Sequence, residues 1–249
     1  MIKYKRQSII LNELQNKGSV NLKQLIKLTN KPKLTIQRDL VELEKQGKLY
    51  RVHGGAIPFN SNFIVASKKI RAKKNIDIKR KLAIKAASFI SENDTICFDS
   101  STTCSFIAEY IPDFNINVVT PLIDTFISLT KKINIVPILT GGTLNKRTDT
   151  LIGNIAIETI KKFSFSKCFL SAEGFDPDKG SLDFDYEDNA IKNTIISVSE
   201  KIFLLIDSSK IFNTKGIVSC PVNKIYRIII DKNDNYKWSK EIRKKIILV

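Results

Sequence analysis

At 249 residues, with 43% hydrophobic and 27% charged side chains, the chain has ordinary globular composition, which excludes a disordered or fibrous protein and leaves room for one large domain or for a small and a medium one. The net charge is +16 and the surplus is confined, since residues 1–81 carry 20 basic and 5 acidic side chains while residues 82–249 carry 21 and 20. An AT-rich genome explains abundant Lys, Asn and Ile but not a near-neutral remainder, so the first third reads as a polyanion-binding module joined to something else.

The opening MIKYKRQSIILNELQ holds only the short apolar run Ile9 to Leu11 before polar residues return, which is not a secretory signal. No stretch of about 18 uncharged apolar residues exists to span a bilayer, and the expected location is the cytoplasm. Ile9, Ile10 and Leu14 have helical spacing within residues 3–17, ending at Gly18. Val20, Leu22, Leu25 and Ile26, followed by Thr29-Asn30, predict a short second helix. A third runs through KLTIQRDLVELEKQG, with Ile36, Leu40 and Leu43 on one buried stripe and Gly47 as its stop. Pro32 suits the first turn of that helix and Asn30 is a candidate cap.

Three short helices with a tight turn before the third form a helix-turn-helix, whose last helix presents its first residues to the major groove. Lys33, Thr35, Gln37 and Arg38 occupy that place, mostly off the apolar stripe. Arg bonds guanine bidentately and Gln bonds adenine, while Lys and Thr reach phosphates or base edges. The same residues also fit a solvated helix face. Asp39 is expected to pair with a nearby Arg, because a carboxylate facing phosphates is repelled. After Gly47, Leu49, Arg51 and His53 alternate with Tyr50 and Val52 before Gly54-Gly55, the pattern of a β-hairpin wing.

The run TIQRDLVELEKQGKLYRVHGGA resembles the DNA-binding signature of the DeoR family of bacterial repressors, with Gln37 standing where the family commonly has an arginine and Lys31-Pro32 where it tends to have an apolar residue and Ser. The resemblance implies double-stranded operator DNA as partner, with Lys33, Thr35, Gln37, Arg38, Arg51 and His53 as its contacts. His53 is the chain's single histidine, so a metal role is not expected of it.

Residues 57–75 hold Pro58, small polar residues and the basic cluster Lys68, Lys69, Arg71, Lys73 and Lys74, the composition of a connector. The domains are therefore expected at 1–57 (winged helix-turn-helix), 58–75 (basic linker) and 76–249 (effector-sensing α/β domain). From Lys79 onward strand-like runs at 95–98, 117–120, 133–140, 167–172, 202–207 and 225–231 alternate with amphipathic stretches such as 82–90 and 190–198, which predicts an α/β domain with a mostly parallel sheet. Ligands of such sheets bind beyond the carboxyl ends of the strands. Two loops lie there. Asp99-Ser100-Ser101-Thr102-Thr103 offers hydroxyls and a helix start to a phosphate and a carboxylate to a polyol, or simply caps a helix; Thr140-Gly141-Gly142-Thr143 offers a close backbone approach. Cys97, Cys104, Cys168 and Cys220 are too scattered for a metal site and read as buried reduced thiols.

The family resemblance extends over this half. DeoR-type sensor domains, which resemble ribose-5-phosphate isomerase in fold, carry a D-x-G-T-T-like loop, a VVTN strand end, a GG loop and a late D-x-S-K, here FDSSTT, VVTP, TGGT and DSSK, with Ser101 and Pro121 as departures. The segment GFDPDKGSLDFDYEDNAIKNTII is similar to that of glycerol-3-phosphate repressors. What these likenesses imply is a repressor of a sugar or polyol operon that senses a phosphorylated metabolite, through Asp99, Ser101, Thr102, Thr103, Gly141, Gly142, Asp188, Lys192 and Lys210. They imply no cofactor, no metal, no membrane association and at least a dimer. The alternative from the residues alone is a sugar-phosphate isomerase with an accessory nucleic-acid module, using a carboxylate base and Lys192. Against it stand the basic first third and the lack of histidine after His53.

Overall fold

The computed structural model describes residues 2–17, 20–52, 55–58, 71–146, 148–211, 216–231 and 238–249, without the side chains of Lys45, Tyr50, Arg51, Val52, Ile57 and Pro58. The chain forms two compact units, Met1–Ser67 and Lys68–Val249.

In the first unit, helix α1 (Lys3–Lys17) precedes a two-residue strand β1 (Val20–Asn21), helices α2 (Leu22–Thr29) and α3 (Lys33–Lys45), and strands β2 (Leu49–Val52) and β3 (Gly55–Pro58). Val20, expected in a helix, pairs instead with Ala56 in a small antiparallel sheet of order β1-β3-β2. The helix starts after Asn21, whose side chain accepts from the Gln24 amide at 2.8 Å while Gln24 bonds back to the Asn21 amide, a capping box. Asn30 is likewise displaced from its expected role. It ends α2 in the left-handed conformation, with φ 49°, and the cap of α3 is Pro32. Gly55 has a steric reason for being glycine, because a Cβ there would lie 1.9 Å from the Val20 carbonyl oxygen. Ile10, Leu14, Val20, Leu25, Ile36, Leu40, Leu43, Leu49 and Ala56 form the core.

The second unit begins, among the described residues, with a helical turn at 71–73, then helix α4 (Ile76–Ala87), β4 (Thr95–Phe98), the short helices α5 (Thr102–Ser105) and α6 (Ile107–Tyr110), β5 (Ile116–Thr120), α7 (Ile123–Leu129) and β6 (Ile135–Leu139). It continues through the hairpin β7 (Thr143–Asn145) and β8 (Thr150–Ile152), α8 (Asn154–Lys161), β9 (Phe165–Leu170), β10 (Gly174–Asp176), β11 (Gly180–Asp183), α9 (Tyr186–Ser197), β12 (Ser199–Ile206), β13 (Ile217–Pro221), β14 (Ile225–Ile230), α10 (Lys240–Arg243) and β15 (Ile246–Leu248). Seven strands form one sheet of order β15-β14-β12-β9-β4-β5-β6, parallel throughout.

Such a sheet is covered on both faces, so its strands are apolar continuously rather than alternately. Cys97, Leu204 and Ile206 face one core, with α8, α9, Phe175 and Cys220; Ile96, Phe98, Phe203 and Leu205 face the other, with α4, α5 and α6. All four cysteines are free and buried, and burial pushes their thiols up. From β4 the chain winds outward through β5 and β6, then returns to β9 on the other side of β4 and winds the opposite way. The reversal lies between β4 and β9, and a crevice at their carboxyl ends is where doubly wound sheets bind ligands.

Candidate functional site

On α3 the stripe Ile36, Leu40 and Leu43 is buried, which leaves Lys33, Gln37 and Arg38 exposed and Thr35 half-buried. Asp39 points inward to Arg6 of α1, whose Nη2 donates to Asp39 Oδ1 at 2.9 Å and whose Nε bonds the other oxygen. The acidic side chain expected to be unwelcome near phosphate is thus turned away and fixes α3 against α1. Leu34, missed in the sequence, is 68% exposed in the first turn between Lys33 and the Gln37-Arg38 pair. An apolar side chain there is suited to a thymine methyl. Arg51 has its backbone in β2, opposite Ala56, while its side chain and all of His53 lie outside the described residues.

In the second unit Asp99 follows β4 directly and ties the reversal point together. Its amide donates to the Phe169 carbonyl at 3.1 Å, its Oδ2 accepts from the Ser171 amide at 2.9 Å and its Oδ1 from the Ser101 amide at 2.9 Å. Lys192 of α9 is buried beside it, donating to the Ser171 carbonyl at 2.6 Å and to Asp183 Oδ2 at 2.6 Å, with Asp99 Oδ2 at 3.6 Å. Burial opposes its charge, but Asp183 and Asp99 outweigh burial and hold the ammonium above its ordinary range. A lysine so held is a fixed cation at neutral pH.

The hydroxyl loop divides. Ser101 Oγ accepts from the Cys104 amide at 3.1 Å and so caps α5, and Thr103 is buried with its hydroxyl 3.4 Å from Ser171 Oγ. Thr102 alone meets a cation, accepting from Lys79 Nζ at 3.2 Å. Gly141 and Gly142 have φ of 71° and 109°, and a Cβ on Gly142 would lie 2.5 Å from the Ile152 carbonyl oxygen, so packing against the β8–α8 junction already requires that glycine. Asp188 accepts from Thr148 Oγ1 at 2.9 Å, and its charge helps to hold the Lys192 ammonium. Lys210 Nζ donates to the Ala172 carbonyl at 2.8 Å and lies 3.7 Å from Asp207 Oδ2.

Lys79 is the site residue that sequence reasoning missed. Burial, and next the positive charge of Lys210, lower its pKa to about 8, whereas Asp207 opposes the shift. Lys210 is itself pushed down by burial. The two ammonium groups thus share one corner of the unit, where each opposes the other's charge while Asp207, Glu173 and Asp183 act on Lys210 in the opposite sense. The signal was present in IDIKRKLAIKAA: Lys79 falls on the core-facing stripe it shares with Leu82, Ala83 and Ala86. Among the described residues, three buried polar atoms have no partner, Thr125 Oγ1, Thr150 Oγ1 and Asn189 Oδ1. Among the same residues no cluster of three metal-binding side chains occurs, and no helix is long and apolar enough to cross a membrane.

A winged helix-turn-helix followed by a parallel α/β unit with polar loops at its reversal point defines a DNA-binding regulator with a sensor domain. Residues 6–62 match the DeoR-like helix-turn-helix domain family and residues 74–232 the DeoR C terminal sensor domain family, and the chain belongs to the DeoR family. It is 31% identical to the uncharacterized HTH-type transcriptional regulator YulB of Bacillus subtilis, over 93% of this chain and 90% of the relative. It is 30% identical to the HTH-type transcriptional regulator GolR of Listeria innocua, over 88% and 85%, and 30% identical to the lactose phosphotransferase system repressor of Staphylococcus epidermidis, over 96% of each. These relatives are regulators, not enzymes. The solved ribose 5-phosphate isomerase of Methanocaldococcus jannaschii overlays with a TM-score of 0.41 at 13% identity, over 55% of each chain.

Proposed function

We propose that the protein represses a sugar or polyol catabolic operon in the cytoplasm and leaves its operator when a phosphorylated metabolite binds at the carboxyl ends of β4, β9 and β12. The observation that carries this is the Lys79–Lys210 corner beside the buried Asp99–Lys192–Asp183 network, a set of cations and carboxylates suited to a phosphate joined to hydroxyl-bearing carbons. A repressor of a lactose phosphotransferase system among the relatives points to control of a sugar operon.

Glycerol-3-phosphate is the first candidate, from the GFDPDKGSLDFDY segment, and hexose phosphates follow. Asp99, Asp183 and Lys192 keep the crevice in shape, Thr102 and Lys210 with Lys79 take the phosphate, and Lys33, Thr35, Gln37 and Arg38 read the operator. A dimer or higher oligomer fits a module that binds weakly alone. The test is calorimetry with glycerol-3-phosphate and a panel of hexose phosphates, with glycerol and inorganic phosphate as the two halves of the ligand, followed by release from a duplex selected out of random sequence. Heat and release from one phosphorylated compound support the reading. Binding of unphosphorylated compounds alone overturns it.

A further inference from the structure

The anion corner is bonded to the segment that leads into it from the DNA-binding unit. Lys79 Nζ donates to the main-chain carbonyl of Arg71, which also accepts from the Lys74 amide at 3.2 Å. Asn75 Nδ2 donates to Asp207 Oδ1 at 3.4 Å, and Arg71 Nη1 lies 3.3 Å from Glu173 Oε1. Asn75 stands before α4 in the left-handed conformation, with φ 53°, and makes no cap with its side chain, which reaches to Asp207 instead. Residues 71–75 are thus a bent turn held onto the sensor unit largely by Lys79 and Asp207, two side chains of the corner where the anion is proposed to bind.

We infer that residues 71–75 are the element through which the effector acts: an anion bound at Lys79 and Lys210 draws the Lys79 ammonium from the Arg71 carbonyl and frees this turn, the first described segment of the second unit. This rests on the anion site proposed above. A phosphate oxygen carries net charge where the carbonyl oxygen carries only a partial one, so the ammonium gains coulombic attraction by turning from the carbonyl to the anion. The same anion repels Asp207, loosening the hold on Asn75. Lys210 remains behind on the Ala172 carbonyl, so the anion stays on the sensor side while the turn leaves. The ligand gains a differential affinity between two states, which is the condition for moving an equilibrium.

The test follows amide hydrogen exchange at residues 72–79 in the full chain, without and with inorganic phosphate, in wild type, Lys79→Met and Asn75→Ala, with phosphate binding measured by calorimetry. Saturating phosphate is expected to speed exchange at the Lys74 and Lys79 amides at least about fivefold, the lower end of ordinary allosteric coupling. Lys79→Met should exchange fast already and ignore phosphate. Asn75→Ala should weaken binding to the selected operator duplex and tighten phosphate binding, since it shifts the equilibrium toward the state in which the turn is released. Asn75 is half-buried outside the core, so this variant folds even where Lys79→Met does not. Phosphate heat with unchanged or slowed exchange overturns the coupling and leaves the anion site standing, as does an Asn75→Ala chain that binds both partners more weakly. Phosphate heat absent from wild type overturns the site and the inference together.

Discussion

Arg6 and Asp39 form a buried ion pair that joins the first helix to the reading helix, with Nη2 and Oδ1 at 2.9 Å. The pair fixes the angle at which Lys33, Gln37 and Arg38 face solvent. Asp39→Ala removes the carboxylate to which the buried guanidinium is bonded, and the loss for a broken buried pair is about 3 kcal/mol or more. The expected result is a lower first transition in thermal unfolding of the full chain, together with weaker binding to every duplex. Unchanged unfolding would remove the pair from the account of how α3 is held.

Arg38→Ala should leave unfolding unchanged and weaken specific binding by about 1–3 kcal/mol, the worth of a good base contact. Lys33→Ala should weaken all sequences about equally and reduce the salt dependence. Leu34→Ala should cost affinity only where the operator carries a thymine facing it, and replacing that thymine by uracil should cost the wild type as much and the variant nothing further. A gel-shift titration in which Arg38→Ala binds like wild type would sink the assignment of α3.

Lys192→Ala should act on the fold before it acts on sensing. Its ammonium is the counterion of both Asp183 and Asp99, and removing it strands two buried carboxylates at a cost of roughly 3–5 kcal/mol. Urea unfolding of the variant beside the wild type measures this. A variant as stable as wild type, with the effector response lost, would instead make Lys192 a direct phosphate ligand.

Lys79 sets a pH window. Its pKa is about 8 in the folded chain and 10.5 ordinarily, so between these values the unfolded chain holds a proton the folded one has released, and stability rises with pH across that range. Lys210, Arg71 and Lys74 act on it in the same sense as burial, and Asp207 against. Lys79→Met should abolish that rise. Phosphate affinity should fall as pH climbs through about 8, because the ammonium that binds it is lost. An affinity flat from pH 7 to about 9 would exclude Lys79 from the anion site.

The sequence by itself determined the class of fold and most of its elements. Ile36, Leu40 and Leu43 repeat at helical spacing, and a stripe that must be buried needs nothing beyond its own period to be seen. The same holds for the strand at 95–98, whose residues are apolar on both sides because both faces of a parallel sheet are covered. Only the tertiary structure decided which polar residues share a place. Lys79 and Lys210 are 131 positions apart and Asn75 and Asp207 132, and no local spacing relates them. Strand β1 is two residues long and carries no period, and Asn30, at the turn that ends the second helix, fits a left-handed exit and a cap of the next helix equally well. For Lys192 the motif marked the position, while the carboxylates packed around it determine whether it meets a ligand or holds the fold, since charge interactions in a buried site depend on distance through space and not along the chain.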